Sequence, residues 1–577
     1  MIEIANVALP LDLFADTGID SVDVEGLCRA AAGAAGVNRA EVREVRILRR
    51  SIDARKRSNV HFVATLGVVL VDQAAEERAC ARPGVKPHVP YAPLKIAPWP
   101  DGAPRPVVVG MGPAGLFAAV YLARAGARPL VIERGACVED RQRAVDIFES
   151  GGPLDLDTNI QFGEGGAGAF SDGKLTNNMK NPLSSHVLHW FVDAGAPDRI
   201  LWEAHPHIGS DKLPTAVAAL RAEIISRGGQ VRFQTRVEGL EFSEGRLTGV
   251  VLRHPDSTTD RVSANQVVLA TGHSARDTYA MLYNEGFTLE RKPFAMGVRI
   301  EHDQQAVNRG QWGAAADHPA LDAAEYKAAV HVPSGRTVYT FCMCPGGYVT
   351  CATSEPGGVV VNGMSNFARD GANANAALLV NVAPEDFGGD PDDPLAGVVL
   401  QQEVELRAFA LAVQEGGVTY QAPAQRVGYF LGQQAVAESD AEFGRRELAE
   451  DSDGKPVMPT YARGVVWCDL HEVLPPFVSK ALEQAFPLLE RRIHGFSDPQ
   501  AVMTAPETRS SSPVRVVRGK SDLQAHVGAP DAPASGVFPC GEGAGYAGGI
   551  MSAAVDGLRV AQALVAAAAE GQAGTGA

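Results

Sequence analysis

Short apolar runs, punctuated by glycine and proline, dominate the chain. Residues 2–9 and 41–49 read as strands. Residues 59–71 alternate and then run almost continuously apolar, which predicts another strand. Residues 24–35 read as a short helix. The simplest account of residues 1–95 is a small βαββ module of the α+β type. Seven prolines within residues 86–106 predict a semi-extended connection, with residues 96–106 as the linker proper.

The sharpest pattern begins at residue 107. Val107, Val108 and Val109 make a short buried strand, followed by Gly110-Met-Gly112-Pro113-Ala114-Gly115 and an apolar, alanine-rich helix over 116–125. Residues 128–132 form a second strand ending on Glu133. A Gly/Asn/Asp-rich stretch spans 151–181. Residues 214–227 predict a helix, 230–237 a strand, and 242–253 with 261–269 a pair of hairpin strands. From 281 to 505 alternating stretches such as 336–339 and 348–361 are separated by turn residues, which suits an antiparallel sheet with helices. Residues 536–539 predict a last strand, leading into Gly541-Glu542-Gly-Ala-Gly545 and a helix from Ile550 to about 569. The fold class is therefore α/β: a discontinuous Rossmann-like nucleotide domain (107–280 and 506–577), an antiparallel α+β substrate or cap domain (281–505) and the N-terminal module.

At 577 residues the chain accommodates two to four domains. It holds 52 Lys+Arg against 68 Asp+Glu, a net charge of −16, which argues against nucleic acid or an anionic membrane as partner. The longest membrane candidate, residues 560–569, is too short to span. Residues 1–16 lack the basic start of a secretory signal. Eight cysteines scattered along such a chain read as reduced thiols, which predicts a cytoplasmic protein without metal sites. Glycine is the outlier, 61 of 577 residues against a usual share of about 7 %. It clusters where a backbone must turn sharply or approach a ligand.

The spacing G-x-G-x-x-G occurs three times, and context separates the occurrences. Only Gly110/Gly112/Gly115 has a buried strand before it, a helix after it and an acid, Glu133, 18 residues past the last glycine. Gly110 permits the tight turn, Gly112 the approach of a pyrophosphate, and Gly115 close helix–strand packing. Pro113 and Ala114 open the helix, and a carboxylate at 133 accepts hydrogen bonds from a ribose. That acid disfavours a 2′-phosphate and leaves FAD or NAD. The V-V-L-A-T-G run ending on Thr271 and Gly272 resembles the corresponding signature of FAD-binding Rossmann proteins. The late strand that delivers Gly541, Glu542, Gly548, Gly549 and Ile550 resembles their flavin-side signature, so FAD is the predicted cofactor.

These features, with Ile160–Leu175, His205–Leu213, Phe341–Gly347, Val361–Ser365 and Glu507–Pro513, resemble the glutathione-reductase-type FAD oxidoreductases. More narrowly, they resemble a bacterial family of FAD-dependent dehydrogenases, also described as NAD(P)/FAD-dependent oxidoreductases, that has no well-defined reaction. The resemblance covers nearly the whole chain. It implies FAD and a two-domain flavoprotein core, and supplies no substrate.

Further cofactor contacts are expected from Arg134, Arg141, Gly165, Gly166, Ser171, Lys174 and Val237. Lys174 is also a candidate cation for an anionic reduced flavin. His207, within the cluster His205, His207 and Asp211, is the candidate general base, and Arg509 the candidate anchor for an anionic substrate group. Cys342 and Cys344 read as small buried residues beside a turn rather than a redox pair. The leading expectation is an oxidoreductase moving hydride between flavin N5 and a small organic substrate. Its electrons come from the substrate, from a transiently bound NAD(P)H, or from a protein carrier. Alternatives are a flavin monooxygenase, and a flavin-binding accessory or electron-transfer protein whose N-terminal module docks a protein partner or contacts RNA through the basic run at 49–57.

Overall fold

The computed structural model describes residues 1–18, 21–176, 181–432, 457–528 and 535–575, with side chains to residue 570. Parts of the expected Gly/Asn/Asp-rich stretch (177–180) and of the mixed segment (433–456) lie outside the described residues.

The N-terminal sheet is antiparallel, with Val42–Asp53, His61–Leu70, Ile2–Leu9 and Val85–Pro87 in that order. Helix Val24–Ala35, N-capped by the Asp23 carboxylate, buries Leu27, Ala31 and Ala35 against it. The βαββ expectation gains a second helix, Gln73–Cys80, and the short edge strand. The proline run therefore starts inside the sheet, at Pro87, where an edge strand tolerates the missing donor.

Of the expected basic run, Arg49, Arg55, Lys56 and Arg57 stay exposed, whereas Arg50 turns inward. Arg50 is 1 % exposed. Its Nε and Nη2 donate to Glu203 at 3.0 and 2.6 Å, and Nη2 donates to the Thr17 carbonyl at 2.7 Å. The guanidinium lies 4.4–5.0 Å from the rings of Phe14, Phe62 and Trp202. The Arg50 N–H also donates to the Trp202 carbonyl at 2.7 Å, and the Ala204 N–H to that of Arg50 at 2.8 Å. This docks the module beside His205.

Val537–Pro539, Val267–Leu269, Val107–Val109, Leu130–Ile132 and Gln230–Arg232 form one parallel sheet in that order, with the C-terminal strand at one edge. The apolar runs that predicted these strands cross from one sheet to another. Residues 230–237 split where Gln234 takes a left-handed φ of 50°, and Arg236–Ser243 leaves to pair with Arg246–Arg253, whose other edge takes Thr259–Ser263. Residues 261–269 split in the same way, between Thr259–Ser263 and Val267–Leu269. Helix Pro113–Arg124, buried throughout residues 114–123, packs on this sheet against the terminal helix Ile550–Thr575. That helix is longer than expected. Its stretch Ile550–Glu570 is long and apolar enough to cross a bilayer, but 61 % of its most apolar window is buried inside the protein, where it serves the core.

The third layer is a seven-stranded sheet in the order Ala329–His331, Thr337–Cys344, Asn373–Val382, Phe294–Asp303, Val502–Glu507, Ala422–Arg426 and Val465–Trp467, antiparallel except for its last pair. Its central strands, Phe294–Asp303 and Asn373–Val382, are buried on both faces, polar positions such as Arg299, Glu301 and Asn375 included. The expected strand 348–361 is two, Tyr348–Cys351 and Val361–Met364, paired antiparallel. Two strands of the large sheet, Thr337–Cys344 and Val502–Glu507, end at the cavity described next.

Replacing Arg50 by Met leaves Glu203 without its buried partner, a change that costs about 3–5 kcal/mol. R50M is expected to lower the thermal midpoint clearly, with E203Q recovering part of the loss. Unfolding of R50M at the wild-type midpoint contradicts this account of module docking.

Candidate functional site

The first glycine turn sits where strands 107–109, 130–132 and 267–269 end. Gly110 has φ +92°, and a Cβ there would stand 2.3 Å from the Ala270 carbonyl oxygen. Gly115 lies behind the turn, where a Cβ would stand 2.0 Å from the Gly110 oxygen, so its role is the predicted helix–strand contact. Glu133 is 5 % exposed, and its carboxylate accepts from the backbone N–H of Met111 (2.7 Å), Gly135 (2.9 Å) and Gly163 (3.1 Å). One side chain thereby ties the first turn to the second strand and to the glycine loop at 163–174.

Arg141 holds that loop from beneath. It is fully buried, and its guanidinium donates to the carbonyls of Asn159 (2.9 Å), Ile160 (2.8 Å), Gly163 (3.3 Å), Glu164 (2.6 Å) and Gly166 (2.8 Å). Burial lowers its pKa to about 10. The expected cofactor contact from Arg141 is therefore corrected: the guanidinium faces backbone oxygens, not the cavity. Gly165 and Gly541 likewise stand behind the wall, their N–H groups given to the Met111 carbonyl and the Asp556 carboxylate, each at 2.9 Å.

A cavity of about 710 Å³ opens over these elements. Of the expected contacts, Gly110, Gly112, Pro113, Ala114, Glu133, Arg134, Gly166, Ser171, Lys174, Val237, Thr271, Gly272, Glu542, Gly548, Gly549 and Ile550 line it. Burial raises the Glu542 carboxyl to about 7, against the pull of Lys292. The opposite wall comes from the seven-stranded sheet and its neighbours: Thr340, Phe341, Cys342, Met343, Asn362 and Glu507, with Glu325 and Lys327.

The candidate catalytic residues fare unequally. His207 does not line the cavity. Its Nε2 meets the Phe367 carbonyl at 3.0 Å, and burial with Arg369 nearby lowers its pKa to about 4, so the imidazole is neutral and engaged. His205, two residues away, lines the cavity instead. Arg509 also lines it, but its guanidinium is committed to Glu405 (3.0 and 2.8 Å), Glu355 (2.9 Å) and Ser354 (2.6 Å). Two carboxylates neutralise it, which corrects the expectation that it anchors an anionic substrate. Lys174 reaches Glu325 at 2.9 Å.

Cys342 overturns the expectation of a merely buried strand residue. It lines the cavity at a bulge, with φ +43°, while Arg299 Nη1 donates to its carbonyl at 2.8 Å. A hydrogen bond from Cys344, with the charges of Arg299 and Lys174, lowers its thiol to about 6 despite burial. Glu507 lies 2.8 Å from Arg299 Nε, and burial outweighs that cation and raises its carboxyl to about 7. Glu325 and His273 also line the cavity without having been anticipated. His273 directly follows Thr271-Gly272 and could have been found there; the run around Glu325 carries no motif.

The first wall fits a dinucleotide. The N-cap of helix Pro113–Arg124, Gly112, supplies no side-chain cap, which leaves N–H groups directed to the cavity beside those of the terminal helix. At Gly548 a Cβ would meet nothing within 4 Å, so the space in front of that helix is open to a ligand. FAD, with its pyrophosphate, ribose and ring system, matches this set.

Two family models agree with this assignment. The family model of the FAD-dependent protein C-terminal domain matches residues 293–510, that of FAD dependent oxidoreductases residues 214–320, and a domain of unknown function residues 1–69. A Clostridium beijerinckii protein described as uncharacterized is 41 % identical over 535 residues, covering 92 % of this chain and 93 % of its own. Aklavinone 12-hydroxylase of Streptomyces peucetius is 27 % identical over 220 residues, 35 % of this chain and 42 % of its own. Among solved structures, a geranylgeranyl bacteriochlorophyll reductase-like protein of Thermoplasma acidophilum is 12 % identical, with 83 % of this chain and 80 % of that one covered, at a TM-score of 0.33.

Two expectations follow from this geometry. G548V should leave the apoprotein within about 0.5 kcal/mol of wild type and weaken FAD binding at least about tenfold, or about 1.4 kcal/mol, in a fluorescence titration; unchanged affinity removes Gly548 from the cofactor wall. Glu507, raised from 4.5 to about 7, keeps its proton longer when folded than when unfolded. Its contribution to stability is complete below pH 4.5 and is lost as the pH rises to about 7. Wild type should therefore lose more stability than E507Q between pH 5 and 8 in denaturant titrations, and parallel losses contradict the assignment.

Proposed function

We propose that this chain, which belongs to the FAD-dependent oxidoreductase family, moves a hydride between FAD and a small organic substrate held against the seven-stranded sheet. The observation that carries the reading is that one cavity joins two unlike walls. Glycine turns and helix N-termini form the first, and side chains of the antiparallel sheet the second. Bound FAD supplies a two-electron hydride donor or acceptor.

The chain's own groups bind and orient. Gly112, Gly166 and the start of the terminal helix would hold the pyrophosphate, and Glu133 would turn its remaining acceptor capacity to a ribose. Glu542 and Lys174 would face the ring-bearing half. On the substrate side, Phe341 and Met343 offer apolar surface while Thr340, Asn362 and Glu507 offer hydrogen bonds, a mixture suited to a largely apolar molecule with one or two polar groups. Saturation or desaturation of a C=C or C–N bond fits such a wall. Among the described residues a single strand–helix–strand unit ending on an acid, residues 107–133, stands on the parallel sheet, so NAD(P)H as electron donor would use the same cavity as the substrate. The likeness to aklavinone 12-hydroxylase supports a second reading, oxygen insertion into the substrate. The eight cysteines, all free, suit the reducing cytoplasm. With Arg50 buried, four cations of the basic run remain exposed on a chain of net charge −16, which favours a small-molecule partner over RNA.

Anaerobic mixing of the flavin-loaded protein with NADH and NADPH tests the donor. Bleaching of the flavin absorbance by one of them within seconds is expected. Absence of bleaching by both contradicts the nicotinamide-linked form. Hydroxylated product in the presence of oxygen would replace the dehydrogenase reading with the second one.

A further inference from the structure

Three histidines lie at or beside the cavity, and only one is built to move a proton. His207 is turned to the Phe367 carbonyl and lies outside the cavity wall. His273 lines the cavity, but its Nε2 meets the Arg509 carbonyl at 2.9 Å, and burial with Arg509 lowers its pKa to about 4. His205 lines the cavity with its side chain 70 % exposed, so it borders both substrate space and solvent. Its Nδ1 hydrogen-bonds Glu325 Oε1, and among the described residues its Nε2 has no hydrogen-bond partner. The other carboxylate oxygen of Glu325 receives Lys174 Nζ at 2.9 Å.

Backbone pairing fixes this arrangement. Leu175 N–H donates to the Pro206 carbonyl at 2.8 Å and Ile208 N–H to that of Gly173 at 3.2 Å, so the segments carrying Lys174 and His205 move together. The charged groups facing His205 are Glu325, Lys174 and Arg369. The hydrogen bond to Glu325 raises the imidazole pKa and outweighs burial and the two cations. Burial pushes Glu325 up, but Lys174, the His205 hydrogen bond and Arg369 hold it well below the usual carboxylate range, so it stays charged and oriented. Glu507 and Glu542, the two cavity acids raised to about 7, have side chains 3 % and 25 % exposed against 70 % for His205, and cannot exchange a proton with water as readily.

We propose that His205 is the catalytic acid and base of this cavity and that Glu325 is its positioning residue, held in turn by Lys174. The proposal rests on the hydride-transfer reading. As hydride adds to one end of the substrate's polarised double bond, the bond's electron pair moves to the other end, which takes the Nε2 proton of the imidazolium. The neutral ring regains a proton from solvent. In desaturation the same ring accepts the proton as the hydride departs.

The test uses the FAD-loaded protein and needs no substrate. Histidine NMR titration should place the His205 pKa above 6.5 in wild type, with a fall in E325Q. Oxygen serves as the kinetic probe, because reoxidation of the reduced holoprotein to hydrogen peroxide consumes one proton per flavin. H205Q should slow it by about 100-fold at pH 7, in the range of general acid catalysis, and flatten its pH profile, with added imidazole restoring the rate in H205A. E325Q should keep the rate at low pH and shift the profile's midpoint downward. An unraised His205 pKa, or a wild-type profile in H205Q, overturns the proposal. Failure of organic donors and acceptors to change the flavin's state would sink the hydride reading separately, leaving both of these measurements readable.

Discussion

The cavity depends on one buried cation being satisfied by backbone alone. Arg141 sits beneath the glycine loop and draws carbonyls from residues 159–166 around its guanidinium. A buried charge is tolerable only when its hydrogen bonds are made, so these residues have little freedom to rearrange. With their oxygens turned toward Arg141, the loop presents Gly163, Gly166 and Ala167 to the cavity. Glu133 completes the arrangement from the other side by accepting N–H groups of Met111, Gly135 and Gly163. One cation collecting carbonyls and one anion collecting amides thus hold three separate segments at fixed distance.

This frame meets a wall of different origin. The seven-stranded sheet supplies Thr340–Met343 and Glu507 from two strand ends, and Arg299, buried in its centre, reaches the Cys342 carbonyl, Asn362 and Glu507 together. Glu405 performs the same service for Arg276 and Arg509, two cations that between them outweigh its burial and keep it ionised at a pKa of about 2. These buried charges are thereby paired across separate elements of the chain. The result is a site whose walls are rigid where the cofactor lies and open to solvent near His205.

Much of this was legible in the sequence because it is local. The strand, glycine turn and helix at 107–124 follow from apolar runs and glycine spacing, and Glu133 from its distance along the chain. The strands at 2–9 and 61–70 and the helix at 24–35 follow from short-range pattern as well. The places where reading stopped short are those decided by long-range partners. The runs at 230–237 and 261–269 each serve two sheets, and an apolar pattern does not record which neighbour a strand joins. Arg141 and Arg509 are arginines in the right region whose donors are consumed by groups far away in sequence. His205 and His207 are equivalent as letters, and only the position of Glu325 and Phe367 separates the ring at the solvent border from the one turned to a carbonyl. Cys342 carried no signal, since its bulge depends on pairing with Asn373–Val382.

The most direct test of the central claim, that one cavity brings flavin and substrate together between the glycine turns and the large sheet, is an electron-density map of the protein crystallised with FAD. Density is predicted to run from the Gly110–Gly115 turn and Glu133, past Gly166 and Gly548, to a ring system facing Thr340–Met343 and Glu507. A flavin bound elsewhere, or one whose ring is sealed off from that wall, would contradict the account.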